Sequence, residues 1–180
     1  MKLKNLIIIV SVLICSLQFS YSQVPENYSF FKLYVKNDKN ETMLVEWDKE
    51  WEIPGRKYKG SNTVNEFVKL MAENHGIVVK NVKLRALVTF HYDTKPNPTL
   101  MQYYTADFVS GNLKAPLGVS NVKWFTKKDV YTSIPYSEMV EIMQYIDKDT
   151  STLWTGAYKI TKKTNSSKRT SSIKEKLSPL

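Results

Sequence analysis

The chain has only one cysteine among its 180 residues, and that cysteine, Cys15, lies in an N-terminal segment that we expect to be removed. Without it, the mature chain contains no disulfide, no thiol nucleophile and no cysteine-ligated zinc site. The sequence also lacks a long apolar run. Its longest, from Leu6 to Leu17, is shorter than the roughly 20 residues that a membrane span requires. We therefore expect no membrane span in the mature chain.

The N-terminal segment has the pattern of a secretory signal peptide. Lys2 and Lys4 precede the apolar run, and the small residues Ser20 and Ser22 follow it, as signal peptidase requires. We therefore predict that residues 1–22 are a signal peptide and that the protein is exported, to a periplasm or to the outside.

A lipoprotein is the alternative interpretation of the same segment. It would keep Cys15 as a lipidated first residue. Ile14 stands directly before this cysteine, where a small residue is expected, so we favour cleavage near Ser22.

The positive charge is concentrated at the C-terminus. The whole chain has 26 basic and 17 acidic residues, for a net charge of +9, and from Lys159 onward the only acid is Glu175. Residues 23–158 are close to neutral, so the charge does not indicate a specific nucleic-acid partner. Residues 159–180 are rich in lysine, serine and threonine, and we predict a basic, disordered tail there.

A single folded domain is predicted between a short polar lead, residues 23–29, and that tail. Residues 30–47 have the pattern of a hairpin, and further strands are predicted at residues 77–79, 82–92, 100–109, 122–125 and 151–160. A first helix begins after Thr63, which forms a capping box with Glu66, and ends at Gly76. A second helix is predicted over residues 136–146 from its apolar spacing.

The first helix belongs to a spaced motif. Gly55 is followed after five residues by Ser61, and after seven more by Lys69, which starts a run that ends in Gly76 and Ile77. This spacing resembles the box of the Nudix hydrolase family, and the resemblance extends over about residues 30–147. It implies a Nudix-like α/β/α sandwich with a mixed β-sheet, of the α+β class, which we assign to residues 30–158.

The resemblance fails at the residues that carry the chemistry. Nudix hydrolases use Mg²⁺ or Mn²⁺, held by glutamates of the box, to cleave a diphosphate linked to another group. Here those positions carry Ser61, Leu70, Glu73 and Asn74. Only Glu73 keeps a carboxylate, and Mg²⁺ prefers several ionised oxygen ligands. Glu73 is thus the one candidate catalytic residue and metal ligand.

Candidate ligand-binding residues are cationic or polar side chains around the box and at one strand end. In a Nudix-like cleft they would meet the phosphates of a small molecule, and they are Arg56, Lys57, Lys69, Asn74 and His91. His91 shares a strand face with Asp93, so this pair is either a site or an ordinary hydrogen-bonded strand end.

Three functions remain open on the sequence. We favour an exported protein with a degenerate metal site that binds a phosphate-containing small molecule or a protein partner without efficient hydrolysis and without a cofactor. The alternative is an active Mg²⁺- or Mn²⁺-dependent hydrolase of a nucleoside diphosphate-linked substrate, with a rearranged site. The third is a scaffold protein that acts through its basic tail.

Overall fold

The computed structural model describes residues 29–162 and 169–180. The predicted signal peptide, residues 1–22, lies outside the described residues, as does the polar lead apart from Ser29. No helix among the described residues is long and apolar enough to cross a membrane.

A mixed β-sheet forms the centre of the molecule. Its central order is β3-β2-β1-β6-β5-β8-β9, with β4 paired to β1 and β7 paired to β2. The β1–β6 and β5–β8 pairs are parallel, and the other pairs are antiparallel. The strands are β1 (Ser29–Lys36), β2 (Thr42–Trp47), β3 (Glu50–Glu52), β4 (Gly55–Lys57), β5 (Ile77–Tyr92), β6 (Thr99–Gly111), β7 (Asn121–Phe125), β8 (Trp154–Lys162) and β9 (Arg169–Pro179).

Helices cover both faces of this sheet. They are α1 (Val64–Asn74), α2 (Lys127–Ser133) and α3 (Ser137–Lys148). On one face α1 buries Phe67, Val68 and Met71 against alternate residues of β1 and β6. On the other face α3 buries Ile142 and Met143 against the opposite residues of the same sheet. The predicted mixed sheet between helices is therefore confirmed.

The start of α1 is the capping box that the sequence predicts. The Thr63 side chain accepts a hydrogen bond from the backbone N–H of Glu66, and the Glu66 carboxylate accepts one from the backbone N–H of Thr63 at 2.7 Å. Gly76 follows the helix with φ of +76°, a conformation that favours glycine. A side chain at this position would also collide with the carbonyl oxygen of Asn112. The helix thus has fixed ends.

Two elements differ from the sequence prediction. The predicted strands 77–79 and 82–92 form one strand, β5, because Asn81 adopts a φ of +54° in a bulge and leaves the pairing with β6 intact on either side. The short helix α2 was not predicted, because it has seven residues and buries only Val130, which gives no helical periodicity.

The prediction of a disordered tail is wrong for the described residues 169–180. They form β9, which pairs antiparallel with β8 along its length. Leu177 is buried, and Arg169 forms an ion pair with the buried Glu138 of α3. The basic, polar composition misled the prediction, since an edge strand can expose lysines while its backbone is satisfied by pairing.

Candidate functional site

A cleft of about 460 Å³ opens beside the box helix. It lies between strands β2, β3 and β4, the C-terminal end of α1 and the loop that joins β6 to β7. Arg56 of β4, Asn74 of α1 and His75 line it, together with Glu52 of β3. The cleft therefore lies where the sequence motif placed a site.

The loop between β6 and β7 is held at both ends, so it forms a defined wall of the cleft. At one end the backbone N–H of Lys114 donates to the carbonyl oxygen of His75 at 2.8 Å. At the other, the backbone N–H of Ser120 donates to the carbonyl oxygen of Glu46 at 2.9 Å. Between them Gly118 has φ of +88°, and a Cβ there would lie 3.0 Å from the ring of Trp47. Glycine thus lets the loop approach the indole.

Most of the cleft surface is apolar. We call the following six residues the apolar wall: Val45, Trp47, Pro54, Met71, Leu117 and Val119. Trp47 is 52% exposed and Leu117 is fully exposed, so large apolar side chains stand at the mouth of the cleft. Exposed apolar surface in a concave site is typical of ligand binding.

The charged groups of the cleft are few. Arg56 is exposed, and its guanidinium carbon lies 5.8 Å from the centre of the Phe67 ring on α1. The Glu52 carboxylate accepts a hydrogen bond from Lys32 at 2.7 Å, and this lysine is almost fully buried. Since Lys32 neutralises Glu52, the charge that the cleft presents to a ligand is the positive charge of Arg56.

His75 contributes a neutral imidazole. Its Nδ1 lies 2.7 Å from the carbonyl oxygen of Met71, and because a carbonyl only accepts, Nδ1 carries the proton. Burial lowers the pKa of His75 below its ordinary value of 6.5, since burial penalises the charged form. At neutral pH the second ring nitrogen, Nε2, is therefore a hydrogen-bond acceptor.

Of the predicted ligand-binding residues, the structure brings two into the cleft, Arg56 and Asn74. Lys57 lies beside Arg56 on β4 but is not part of the cleft surface, and Lys69 is exposed on α1. His91 lies on β5, which β1 and β6 separate from β2 in the sheet, and pairs with Lys159 of β8.

The partner predicted for His91 has an ordinary strand-end role. The carboxylate of Asp93 accepts a hydrogen bond from the backbone N–H of Lys162 at 3.2 Å. The backbone N–H of Asp93 in turn donates to the carbonyl oxygen of Ile160. Asp93 thus joins the ends of β5 and β8, away from the cleft.

The candidate metal ligand Glu73 is exposed on α1 and does not line the cleft. Within residues 29–162 and 169–180, no group of three histidine, cysteine, aspartate or glutamate side chains is arranged to hold a metal ion. At the box positions, Leu70 offers no ligand atom and Asn74 offers only an amide. The residues present therefore do not fit Mg²⁺ or Mn²⁺ held by carboxylates.

Among the cleft residues that were absent from the sequence-based candidate set, three carry an aromatic or ionisable side chain, and these are Trp47, Glu52 and His75. The sequence did give a signal for His75, because this residue directly precedes the helix-ending Gly76 within the motif. Trp47 and Glu52 had none, since their placement depends on how β2 and β3 pair.

Comparison with solved structures identifies the fold. The chain superimposes on the mutator MutT protein of Bacillus halodurans with a TM-score of 0.65 at 17% identity, covering 79% of this chain and 96% of that one. A Nudix hydrolase of Nitrosomonas europaea gives 0.59 at 10% identity, covering 68% and 90%. The Nudix domain of Shewanella oneidensis NrtR, complexed with ADP-ribose, gives 0.57 at 14% identity, covering 76% and 96%.

Sequence comparison adds no relative to these. No protein-family model matches the chain, and no curated protein matches it. At these identities the structural likeness concerns the fold alone. Together with the position of the box helix beside the cleft, it shows that the chain has the Nudix fold.

Proposed function

We propose that this chain is an exported Nudix-fold protein that binds a small molecule in the cleft and does not hydrolyse it efficiently. The observation that carries the proposal is the loss of carboxylates from the face of α1 that meets the cleft. Met71 and Asn74 occupy that face, His75 directly follows the helix, and the exposed Glu73 does not line the cleft.

Electrostatics favour the loss of hydrolysis. A dication in a Nudix-type reaction supplies several kcal/mol of transition-state stabilisation. Each 1.4 kcal/mol or so corresponds to a tenfold change in rate, so its loss slows the reaction by orders of magnitude. The cleft presents the positive charge of Arg56, which repels a dication.

An active hydrolase with a rearranged site is the second candidate. Two observations favour it: the Glu52 carboxylate and the Asn74 amide line one cleft, and the structural neighbours include proteins named as hydrolases. This candidate would have to recruit Glu52 from its ion pair with Lys32. The version that draws on His91 and Asp93 is not favoured, because both residues lie at the end of β5 and neither lines the cleft.

A turnover assay separates the two candidates. The full mature chain is incubated with ADP-ribose, diadenosine tetraphosphate or a nucleoside triphosphate, with Mg²⁺ or Mn²⁺. We expect no metal-dependent turnover. Metal-dependent turnover by the parent chain that disappears in Glu73→Gln would overturn the proposal and establish a catalyst.

Restoring the carboxylates provides the converse test. Leu70→Glu with Asn74→Glu places three glutamates at i, i+3 and i+4 of α1, which lie on one helix face. We expect this variant to bind Mn²⁺ in calorimetry and the parent chain not to. The control is Asn65→Glu with Gln144→Glu, which adds the same charge on two separate helices. Mn²⁺ binding by the parent chain that is as tight as binding by the variant would contradict the proposal.

Export is proposed from the signal-like segment and is tested separately. Mass spectrometry of the protein produced in a secreting bacterial host should give Gln23 as the first residue. A mature chain that begins at a lipidated Cys15 would establish the lipoprotein instead, and a chain that keeps Met1 would contradict export.

A further inference from the structure

The ligand class follows from the distribution of apolar and charged surface in the cleft. The apolar wall provides an extended apolar surface, and the exposed indole of Trp47 offers a flat face at the mouth. An aromatic ring on the ligand would stack on such a face, and stacking stabilises the contact beyond the burial of apolar area alone. The volume of about 460 Å³ matches the pockets that hold small organic molecules.

The single uncompensated charge defines the other end of the ligand. Among the described residues, Arg56 forms no ion pair with a carboxylate, whereas the other charged group of the cleft, Glu52, is paired with Lys32. A guanidinium binds a planar or tetrahedral anion through two parallel N–H groups. One cation matches one negative charge on the ligand.

The remaining polar groups are uncharged. Asn74 supplies an amide, which both donates and accepts hydrogen bonds, and the neutral His75 also lines the cleft. A diphosphate carries several negative charges and would need more cations, or a metal, than this cleft provides. The apolar wall and Arg56 together fit a less charged molecule.

We infer that the cleft binds an aromatic organic monoanion directly, without a bridging metal ion: its ring lies against Trp47 and the apolar wall, and its carboxylate or sulfonate pairs with Arg56. This inference rests on the proposed binding function and names the ligand class of the same cleft. It distinguishes this chain from a metal-dependent diphosphate site, because the anion is held by the protein alone.

Two matched fluorescent probes test the inference. Anilinonaphthalene sulfonate has an aromatic ring system with one negative charge, and phenylnaphthylamine has the same rings without the charge. Each is titrated into the full mature chain in the presence of EDTA, with calorimetry to count sites. We expect one saturable site for the sulfonate, with binding unchanged by the chelator.

Variants then assign the contacts. Arg56→Gln should weaken sulfonate binding by about tenfold or more, as expected for a lost charge-assisted hydrogen bond, and leave binding of the neutral probe unchanged. Trp47→Ala should weaken both probes. The control Lys59→Gln removes an equal charge from the exposed loop that follows β4 and should leave both affinities within about twofold.

Three outcomes would overturn the inference. They are equal sulfonate binding by Arg56→Gln and the parent chain, a requirement for a divalent metal, and several weak sites that no cleft variant alters. Failure here is distinguishable from failure of the proposed function. ADP-ribose that binds without turnover, beside a sulfonate that does not bind, would leave the non-hydrolytic function standing and reject only the ligand class.

Discussion

Lys32 is a charged residue placed inside the sheet, where its exposed fraction is 3%. Its ammonium group donates to the Glu52 carboxylate at 2.7 Å and lies 3.3 Å from the carbonyl oxygen of Ile53. Glu52 separates the cleft from a smaller cavity of about 170 Å³ on the other side. The ion pair therefore forms part of the partition between the two spaces.

Breaking this pair from the glutamate side should destabilise the fold. Glu52→Gln leaves the Lys32 ammonium buried without its counter-charge, and we expect the free energy of unfolding to fall by about 3 kcal/mol. The double variant Lys32→Met with Glu52→Met buries no charge and should recover most of that loss. Urea denaturation measures both. A decrease of less than about 1 kcal/mol in the free energy of unfolding of Glu52→Gln would show that water reaches Lys32 and replaces the carboxylate.

Individual site residues were predictable from the sequence only where local spacing fixes them. Arg56 follows Gly55 of the motif and Asn74 lies on the box helix, so both were found. Trp47 and Leu117 line one cleft only because two distant segments fold against each other. Glu73 was singled out for its residue type, but its direction on the helix placed it in solvent.

At the scale of elements, the start of α1 depends on the Thr63 side chain. Thr63→Ala removes the acceptor for the backbone N–H of Glu66, and loss of such a cap costs about 1 kcal/mol. Chemical denaturation measures the difference. Ser61→Ala, two residues earlier in the exposed loop, is the control and should change the free energy of unfolding by less than about 0.5 kcal/mol. Equal effects of the two substitutions would contradict the cap.

The other half of the capping box makes stability depend on pH. Hydrogen bonds from Thr63 lower the pKa of Glu66 below its ordinary value of 4.5. The folded state therefore gains stability from the ionised carboxylate above that ordinary value and loses it as the pH falls through the lowered pKa. Glu66→Gln should flatten this part of the profile of melting temperature against pH. An unchanged acid limb in the variant would reject the contribution.

Strand β9 offers two apolar residues with opposite burial. Leu177 is 7% exposed and packs in the core under α3, whereas Ile173 is 51% exposed on the same strand. We expect Leu177→Ala to lower the free energy of unfolding by about 2–3 kcal/mol, because it leaves a cavity. Ile173→Ala should cost less than about 1 kcal/mol. Equal costs would mean that β9 does not pack as described.

At the scale of the whole molecule, the motif and the order of elements predicted a mixed sheet between helices, but they did not predict the order of the strands in that sheet. Composition alone predicted the wrong outcome at the C-terminus. The serines and threonines of β9 have the composition of a solvated tail. The backbone of this strand nevertheless pairs with β8, and no local sequence pattern reveals that pairing. The parallel pairing of β1 with β6 is equally invisible locally, since residues about seventy positions apart meet there.

The C-terminal strand also decides whether the basic segment is a detachable binding tail or a part of the domain. A detachable tail predicts that deleting residues 163–180 leaves the melting temperature unchanged. In the structure, that deletion removes β9, the buried Leu177 and the ion pair of Arg169 with Glu138, whose carboxylate is then buried without its partner.

We expect this deletion to lower the melting temperature by at least about 10 °C, because the lost contacts are worth several kcal/mol in a domain of this size. Lys174→Gln with Lys176→Gln is the matched control, since both lysines are exposed and the strand stays in place. Differential scanning calorimetry should show this control within about 2 °C of the parent chain. A deletion that melts like the parent would restore the tail interpretation, because β9 would then contribute nothing to the fold.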